Sequence, residues 1–421
     1  MTDAQPRQKP PQMSAAVSDS ITVGTARANS MLVIVLLVTL NSIMAGLSVD
    51  LMLPALPGIQ QAFSLDSVAV QQTLTCYLAA YALGCLVIGP VSDAFGRRPV
   101  LLAGLALFVL ATLIPALTDS YMVLLLCRCL QGFGACAGKV VCRALVADRF
   151  DQARAQKALS LVTALYLVAP AMGPILGGLL YANFGWRSNF VFMAISSFIT
   201  FVLYVILLRE THEGAGIRTL HAAAMWREIN ALLRQRSFVL VALVSGLCSA
   251  PMFLYVTSAP TVVLSHWRLD ESGYGWLSIP VVAGTLLGSI VCNRLSATLD
   301  RRVLVTRALV ALTAATVLAI LTSRFAPNSY ERLVVIPVAL TAAGSATVFP
   351  ALMVTSLSCA PSARGLASSL FNFISLGLLS VVSGLVAPIA ATNAQSLALA
   401  SCGFAIAATG LWATLNRVAR R

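Results

Sequence analysis

Long stretches without a charged residue are the feature that most constrains how this chain of 421 residues can fold. Five such stretches are Met31–Ser48, Val100–Leu117, Phe190–Leu208, Phe238–Leu264 and Leu366–Thr392. Each has at least the roughly 18 residues that a helix needs to cross the apolar part of a bilayer. Only 10% of all residues are charged, whereas soluble domains have about 25%. The sequence therefore predicts an all-α membrane protein.

Hydropathy divides the chain into twelve predicted transmembrane helices, which we number span 1 to span 12. The longest charged connection, 209–237, separates two sets of six. We therefore expect an N-terminal half over 31–208, a cytoplasmic linker over 209–237 and a C-terminal half over 238–416. The remaining 1–30 and 417–421 are expected to be cytoplasmic tails, the first of them disordered. The predicted spans cover 33–56, 71–91, 99–117, 121–142, 158–182, 189–208, 238–262, 274–293, 303–323, 332–357, 364–388 and 395–415.

The distribution of basic residues predicts the orientation. An even number of spans places both termini on one side, and Lys and Arg concentrate in cytoplasmic connections. With cytoplasmic termini, only four of the 28 basic residues fall in outward-facing connections, namely Arg187, Arg268, Arg324 and Arg332. We therefore expect a multi-pass protein of the bacterial inner membrane with both termini in the cytoplasm. This topology explains the net charge of +13, so no nucleic-acid partner is expected.

Metal and cofactor sites are not indicated by the sequence. The ten cysteines fall in apolar segments without a CxxC pair or a His/Cys ligand spacing, so we interpret them as helix-packing residues. We expect no cofactor, with protons as the coupling ion of any transport.

A glycine-rich basic loop is the clearest local motif. Gly89–Val100 reads GPVSDAFGRRPV and falls in the short connection between spans 2 and 3. A weaker echo, ATLDRRVL at Ala297–Leu304, follows span 8 at the corresponding place in the second half. The repeated basic pair and the arrangement of six plus six spans indicate a duplicated transporter whose site lies between the halves.

Several segments together carry a family resemblance. Beside the GPVSDAFGRRPV loop, they are DLMLPALP at Asp50–Pro57, RCLQGFG at Arg128–Gly134, APAMGPILGG at Ala169–Gly178 and GWRSNF at Gly185–Phe190. The chain resembles the major facilitator superfamily, and within it the Bcr/CflA group of drug:proton antiporters. This resemblance implies the major facilitator fold and proton-coupled export. Two positions depart from the group, which usually has Gln at Cys85 and an uncharged residue at Lys139.

The resemblance also implies two gating regions. Asp93, Arg97, Arg98 and Asp148 should form a charge cluster that holds the halves closed on the cytoplasmic side. Gly89 and Gly96 permit tight turning and close helix approach there. The APAMGPILGG segment should seal the outer side between spans 5 and 11. Its small residues allow close helix packing and its prolines bend the span; they are Pro170, Gly173, Pro174, Gly177 and Gly178.

Asp50 is the only acidic residue well inside a predicted span. Ionised residues at such depth are costly and mark functional sites. Along continuous helices, Asp50 of span 1 and Arg128 of span 4 both lie roughly 12 Å below the outer ends of their spans. We therefore predict that the two meet at one level and couple transport to protons. The alternatives are an Asp50 at the outer membrane interface and an Arg128 with a purely structural partner.

The remaining candidates line a predicted substrate cavity. Arg128 and Lys139 are about three helical turns apart, so they and Gln131 should share a face towards a water-filled cavity. Alternatively, Lys139 extends towards the cytoplasmic end of span 4. In the second half, Tyr255 and Asn372 offer polar groups to the cavity, although ordinary hydrogen bonds between helices would also explain them.

These observations favour a proton-driven exporter of small molecules over other classes of protein. The alternative is a dedicated exporter or importer of one metabolite, such as an amino acid derivative or a siderophore-like acid. An intramembrane enzyme would need a motif such as HExxH or a paired intramembrane Asp, and neither is present. Asp50, Arg128 and Lys139 sum to +1, so we expect neutral, zwitterionic or anionic cargo. We expect the protein to act as a monomer within the bilayer.

Overall fold

The protein is a bundle of long helices. The computed structural model describes residues 13–166, 168–208, 222–258, 274–325, 333–361 and 363–418, and no strand occurs among them. Twelve helices in these ranges are long and apolar enough to cross a membrane. The prediction of an all-α membrane protein with twelve spans is therefore confirmed.

The first half contains six spans, and span 5 is given as two helices because residue 167 between them lies outside the described residues. The spans of this half are Met13–Asp50, Ser67–Phe95, Arg97–Leu113, Tyr121–Arg149, Gln152–Tyr166 with Val168–Phe184, and Arg187–Leu207. Leu56–Ala62 is a short helix that follows span 1.

The second half repeats this arrangement. Its spans are Arg236–Thr257, Tyr274–Leu295, Arg301–Phe325, Val335–Ser358, Arg364–Val381 and Ala394–Val418. Span 11 continues through a π-helical turn at Val382–Val386 into a last turn at Ala387–Ala390. Within each half, the second and third spans both pack on the fourth, and the first span packs on the fourth, fifth and sixth. This shared pattern fits a duplicated six-helix unit.

Span 1 differs from the sequence prediction at both of its ends. Its helix begins at Met13, so residues 13–30 are helical where we expected a disordered tail. This stretch contains four Ala and no Pro, and its single glycine, Gly24, costs a helix only about 1 kcal/mol relative to Ala, so the membrane helix can extend backwards through it. The same helix ends at Asp50 instead of continuing to residue 56. Residues 1–12 lie outside the described residues.

The linker contains a helix that belongs structurally to the second half. Helix Ala222–Arg234 buries Ile229 and Leu232 in the apolar core formed by spans 7, 9, 10, 11 and 12. The rest of the expected linker before this helix, 209–221, lies outside the described residues.

The two halves contact each other mainly through two pairs of helices. Span 2 packs along span 11, and span 5 packs against span 8. The end of the bundle that holds the N-terminal end of span 1 is called the terminal side. The opposite end is called the far side. On the far side, hydrogen bonds join Gln71 Nε2 to Ser383 Oγ at 3.1 Å and Ser380 Oγ to the carbonyl of Thr75 at 3.0 Å.

Candidate functional site

The helix of span 1 breaks directly after Asp50. Asp50 is the last helical residue, and residues 51–55 form turns before the next helix. Pro54 lies four residues after Asp50 and has no N–H to donate to the carbonyl of Asp50. The amide of Met52 turns to the Val49 carbonyl at 3.1 Å, so the carbonyl of Ser48 also loses its usual helical partner. A broken helix at membrane depth needs other donors for these carbonyls.

Two fully buried side chains supply donors to the break. Nη2 of Arg128 in span 4 donates to the Ser48 carbonyl at 3.1 Å. Nδ2 of Asn189 in span 6 donates to the Leu51 carbonyl at 2.7 Å. Neither side chain has exposed surface. Asp50 therefore lies between two carbonyls that are fixed by neighbouring spans.

The other N–H groups of the Arg128 guanidinium donate to neutral acceptors. Its Nε donates to the Thr73 carbonyl at 3.0 Å, and its Nη1 donates to Gln131 Oε1 at 2.6 Å and to Ser48 Oγ at 3.2 Å. Its Cζ lies 4.6 Å from the centroid of the Tyr77 ring. Arg128 thus reaches the backbone beside Asp50, at the shared level that the sequence predicts, and makes no ion pair with the carboxyl.

Gln131 belongs to this buried network. Its Nε2 donates to the Ala111 carbonyl of span 3 at 2.9 Å, and its side chain is fully buried. Arg128 and Gln131 therefore do not line a cavity in this structure. Helical spacing gives only a direction around the axis, whereas in this structure spans 1, 2 and 3 pack over this face of span 4.

The Asp50 side chain is half-buried and has no charged partner. None of the four ion pairs found among the described residues includes it, and it accepts no hydrogen bond from them. Its neighbour is Gly173 of span 5, where an added Cβ would lie 2.5 Å from the Asp50 Cβ. Gly173 therefore lets span 5 approach the carboxyl closely.

The whole glycine-rich segment of span 5 packs against the break. A Cβ at Gly177 would lie 2.7 Å from the Leu51 carbonyl oxygen, while Pro174 and Gly178 are also buried. Gly173 and Gly177 therefore face span 1, whereas the resemblance implied a seal between spans 5 and 11. Across the halves, span 5 contacts span 8 and span 11 contacts span 2. Pro170, at the start of the segment, is half-buried.

Lys139 lies in different surroundings from Arg128. Its side chain is exposed, and its Nζ lies 5.7 Å from the centroid of the Tyr81 ring. Tyr81 is at the midpoint of span 2, Ser67–Phe95. The ammonium group therefore points towards the middle of the bundle and away from the terminal end of span 4.

The two candidates in the second half are placed differently from each other. Tyr255 is only 1% exposed and packs in an apolar cluster with Val281 and Val338, so it does not line a cavity here. Asn372 of span 11 is half-buried and donates from Nδ2 to the Ser368 carbonyl of its own helix at 2.8 Å.

The loop motif on the terminal side forms a charge cluster. Arg97 pairs with Asp93, and its Nε lies 3.0 Å from Oδ2 of Asp148 at the end of span 4. Arg98 instead donates from Nη2 to the Val205 carbonyl of span 6 at 3.1 Å. Gly96 has a φ of 96°, which a side chain would strain. All these residues belong to the first half, and Gly89 of the same motif faces Ser369 of span 11.

Sequence reasoning missed Asn189, one of the two side chains that donate to the break, and the residues that join the halves. In the sequence, Asn189 appeared only as part of the GWRSNF segment. That it donates to the Leu51 carbonyl depends on how span 6 packs on span 1. Gln71 and its neighbour Gln72, which donates to the Gly384 carbonyl at 3.4 Å, were a usable signal. Two adjacent amides near the start of an apolar span need polar partners.

Comparison with known proteins places the chain in one family. Residues 38–384 match the model of the Major Facilitator Superfamily. Relatives include the "Multidrug transporter MdfA" of Yersinia pestis bv. Antiqua (strain Angola), 31% identical over 59% of this chain and 60% of that protein. The "Multidrug resistance protein MdtM" of Escherichia coli (strain K12) is 28% identical over 59% of this chain and 61% of that protein. The chain thus matches about three fifths of the length of these curated relatives.

Solved structures show the same fold at low sequence identity. A crystal structure of a mutant of the nucleoside transporter NupG aligns with a TM-score of 0.73 at 12% identity, over 91% of this chain and 99% of that one. A bacterial homolog of the human lysosomal transporter Spinster, inward-facing and unoccupied, aligns with a TM-score of 0.69 at 17% identity, over 93% and 97%. With twelve spans in two six-helix halves and a family match over most of its length, the chain is a multi-pass membrane protein that belongs to the Major Facilitator Superfamily.

Proposed function

We propose that the protein is a proton-driven exporter of small molecules in the bacterial inner membrane, with both termini in the cytoplasm. The observation that carries this proposal is the half-buried Asp50 carboxyl, which has no ionic partner and ends a broken helix. A carboxyl without a cationic partner can bind and release a proton without first breaking an ion pair. An intramembrane acid in such a place marks an ion pathway.

The broken helix gives the proton a structural effect. Arg128 and Asn189 hold the two carbonyls that flank Asp50, so its charge state acts on a segment with few helical bonds of its own. Span 5, packed on the same segment through Gly173, is one of the two first-half spans that make most of the contacts with the second half. Protonation of Asp50 can therefore bias how the halves meet, which is the requirement for alternating access.

The relatives support the export of varied cargo, since their names describe them as multidrug transporters and a multidrug resistance protein. We propose cargo that is neutral, zwitterionic or anionic, carried by a monomer without a cofactor. A second candidate, an exporter of one acidic metabolite, is favoured by the exposed Lys139 ammonium at the middle of the bundle.

The test uses Asp50→Asn, which keeps the size of the side chain and removes the titrating group. Cargo is first identified by comparing the growth of cells with and without the gene on a panel of antibiotics and organic acids. We expect purified Asp50→Asn to bind that cargo but to release no protons on binding and to lose export driven by a pH gradient in vesicles. Asp151→Asn is the matched control, because Asp151 is exposed and pairs only with Arg154 one turn away. Undiminished gradient-driven export by Asp50→Asn would refute the proposal.

A further inference from the structure

Lys139 is a cation inside a membrane span that the proposed proton mechanism does not use. It forms no ion pair or hydrogen bond within the described part of the chain, and its ammonium lies over the ring of Tyr81. Arg128, in the same span, has four hydrogen bonds to neutral acceptors and no exposed surface. Charged residues within spans usually pair or line a pathway. An exposed ammonium without an acid is therefore available to a ligand.

We propose that Lys139 and Tyr81 form the carboxylate-binding site for the cargo, an inference that rests on the proposed export function. The ring of Tyr81 holds one side of the ammonium, and the remaining N–H donors can reach a carboxylate.

The site lies where cargo has to pass between the halves. Tyr81 belongs to an apolar cluster that also contacts Phe253 of span 7 and Leu376 of span 11, both from the second half. These two apolar side chains are suited to contact the hydrocarbon or aromatic part of a cargo molecule whose acid group meets Lys139.

The register of spans 2 and 11 places a second polar group at this depth. Thr75 meets Ser380 towards the far side, and Gly89 faces Ser369 towards the terminal side. Interpolating between these contacts puts Asn372 level with Cys85. Sγ of Cys85 in turn lies 3.3 Å from Sγ of Cys136, which is one turn before Lys139 in span 4. Asn372 is therefore the second polar group near the depth of Lys139.

The distribution of charge favours an acid over a cation as the ligand. None of the six spans of the second half contains Asp or Glu. Among the acids within the spans of the first half, only Asp50 lies away from the terminal-side ends of the spans. It lies against span 5. A cationic cargo at Lys139 would meet a like charge, and the repulsion between them grows as the distance falls.

The test measures equilibrium binding, which does not require transport. Three probes of the same shape but different charge, 1-naphthoate, 1-naphthamide and 1-naphthylmethylammonium, are titrated into the purified full-length protein in detergent by calorimetry. We expect naphthoate to bind most tightly and the cation most weakly. Lys139→Met should weaken naphthoate about ten- to hundredfold, the range for loss of a charge-assisted hydrogen bond, and should leave naphthamide within about threefold.

Three further variants separate a binding role from a structural one. Lys139→Arg keeps the charge and should retain naphthoate binding. Lys157→Met removes the charge of another lysine, which is exposed near the terminal-side end of span 5, and should leave the affinity for naphthoate unchanged. Asp50→Asn should still prefer naphthoate, even if proton-driven export proves to be wrong. Equal affinity of the wild-type protein for naphthoate and naphthamide, or equal weakening of both by Lys139→Met, would overturn the proposal.

Discussion

Asn189 offers the sharpest test of how the break in span 1 is held. Its amide donates to the Leu51 carbonyl at 2.7 Å and more weakly to the Gly177 carbonyl at 3.3 Å. Gly177 lies within a continuous helix, so its carbonyl keeps a helical partner. The Leu51 carbonyl has no helical partner, because the amide of Ala55, which would donate to it in a helix, donates to the Met52 carbonyl instead. Asn189→Leu, a change to an apolar side chain of similar size, therefore orphans one buried carbonyl.

The expected cost follows from that single carbonyl. A buried polar group left without a partner costs about 1–3 kcal/mol, and hydrogen bonds between membrane helices average about 0.6 kcal/mol in double-mutant cycles. We expect Asn189→Leu to lower the free energy of unfolding by about 1–2 kcal/mol. Leu51 directly follows Asp50, so relaxation of the break also moves the carboxyl. If the same free energy is needed to restore the active geometry, export falls about five- to thirtyfold.

The measurement compares Asn189→Leu with Asn183→Leu. Asn183 is exposed and donates to the Leu179 carbonyl of its own helix at 2.8 Å, so its loss should affect neither the stability of the protein nor proton release on cargo binding. Unfolding by denaturant in detergent gives the change in stability, and proton release on cargo binding reports on Asp50. If Asn189→Leu matched Asn183→Leu in both assays, the break would not depend on this side chain and our account of its geometry would be wrong.

Two further substitutions test the packing of the break and the loop cluster. Gly173→Ala places a methyl group 2.5 Å from the Asp50 Cβ and should lower export several-fold by separating spans 1 and 5, whereas Gly403→Ala, with no atom within 4 Å, should be neutral in the same vesicle assay. Asp93→Asn removes one partner of Arg97 and should slow turnover while leaving cargo affinity unchanged; a loss of binding with normal turnover would contradict a gating role.

The sequence predicted best what depends on composition and short spacing. Uncharged runs specified the twelve spans, because a bilayer accepts few other structures. The family resemblance implied a charge cluster of Asp93, Arg97, Arg98 and Asp148, and in the structure Arg97 contacts both acids while Arg98 donates to the Val205 carbonyl. The helix break after Asp50 was also visible in principle, because Pro54 removes the donor for the Asp50 carbonyl. We expected a helix to residue 56 because hydropathy continues through the break.

The partners of the buried polar groups could not be predicted in the same way. Spacing placed Arg128 and Lys139 on one helix face, yet one is fully buried and the other exposed. Which carbonyl a long side chain reaches depends on how the helices rotate and shift against one another, and periodicity does not specify this. The position of Asn189 opposite Leu51 has the same origin.

The separation of Asp50 and Lys139 has an energetic consequence for the proposed cycle. Asp50 lies against span 5, whereas Lys139 lies against span 2, so a proton and a carboxylate can be bound at different places. One charge crossing the membrane is worth about 2.3 kcal/mol per 100 mV. Export of one anion in exchange for one inward proton moves two charges, or about 4.6 kcal/mol per 100 mV. A neutral cargo would gain half of this. A carboxylate site at Lys139 would therefore double the electrical driving force without a second proton-binding residue, which agrees with Asp50 as the one acidic residue well inside a predicted span.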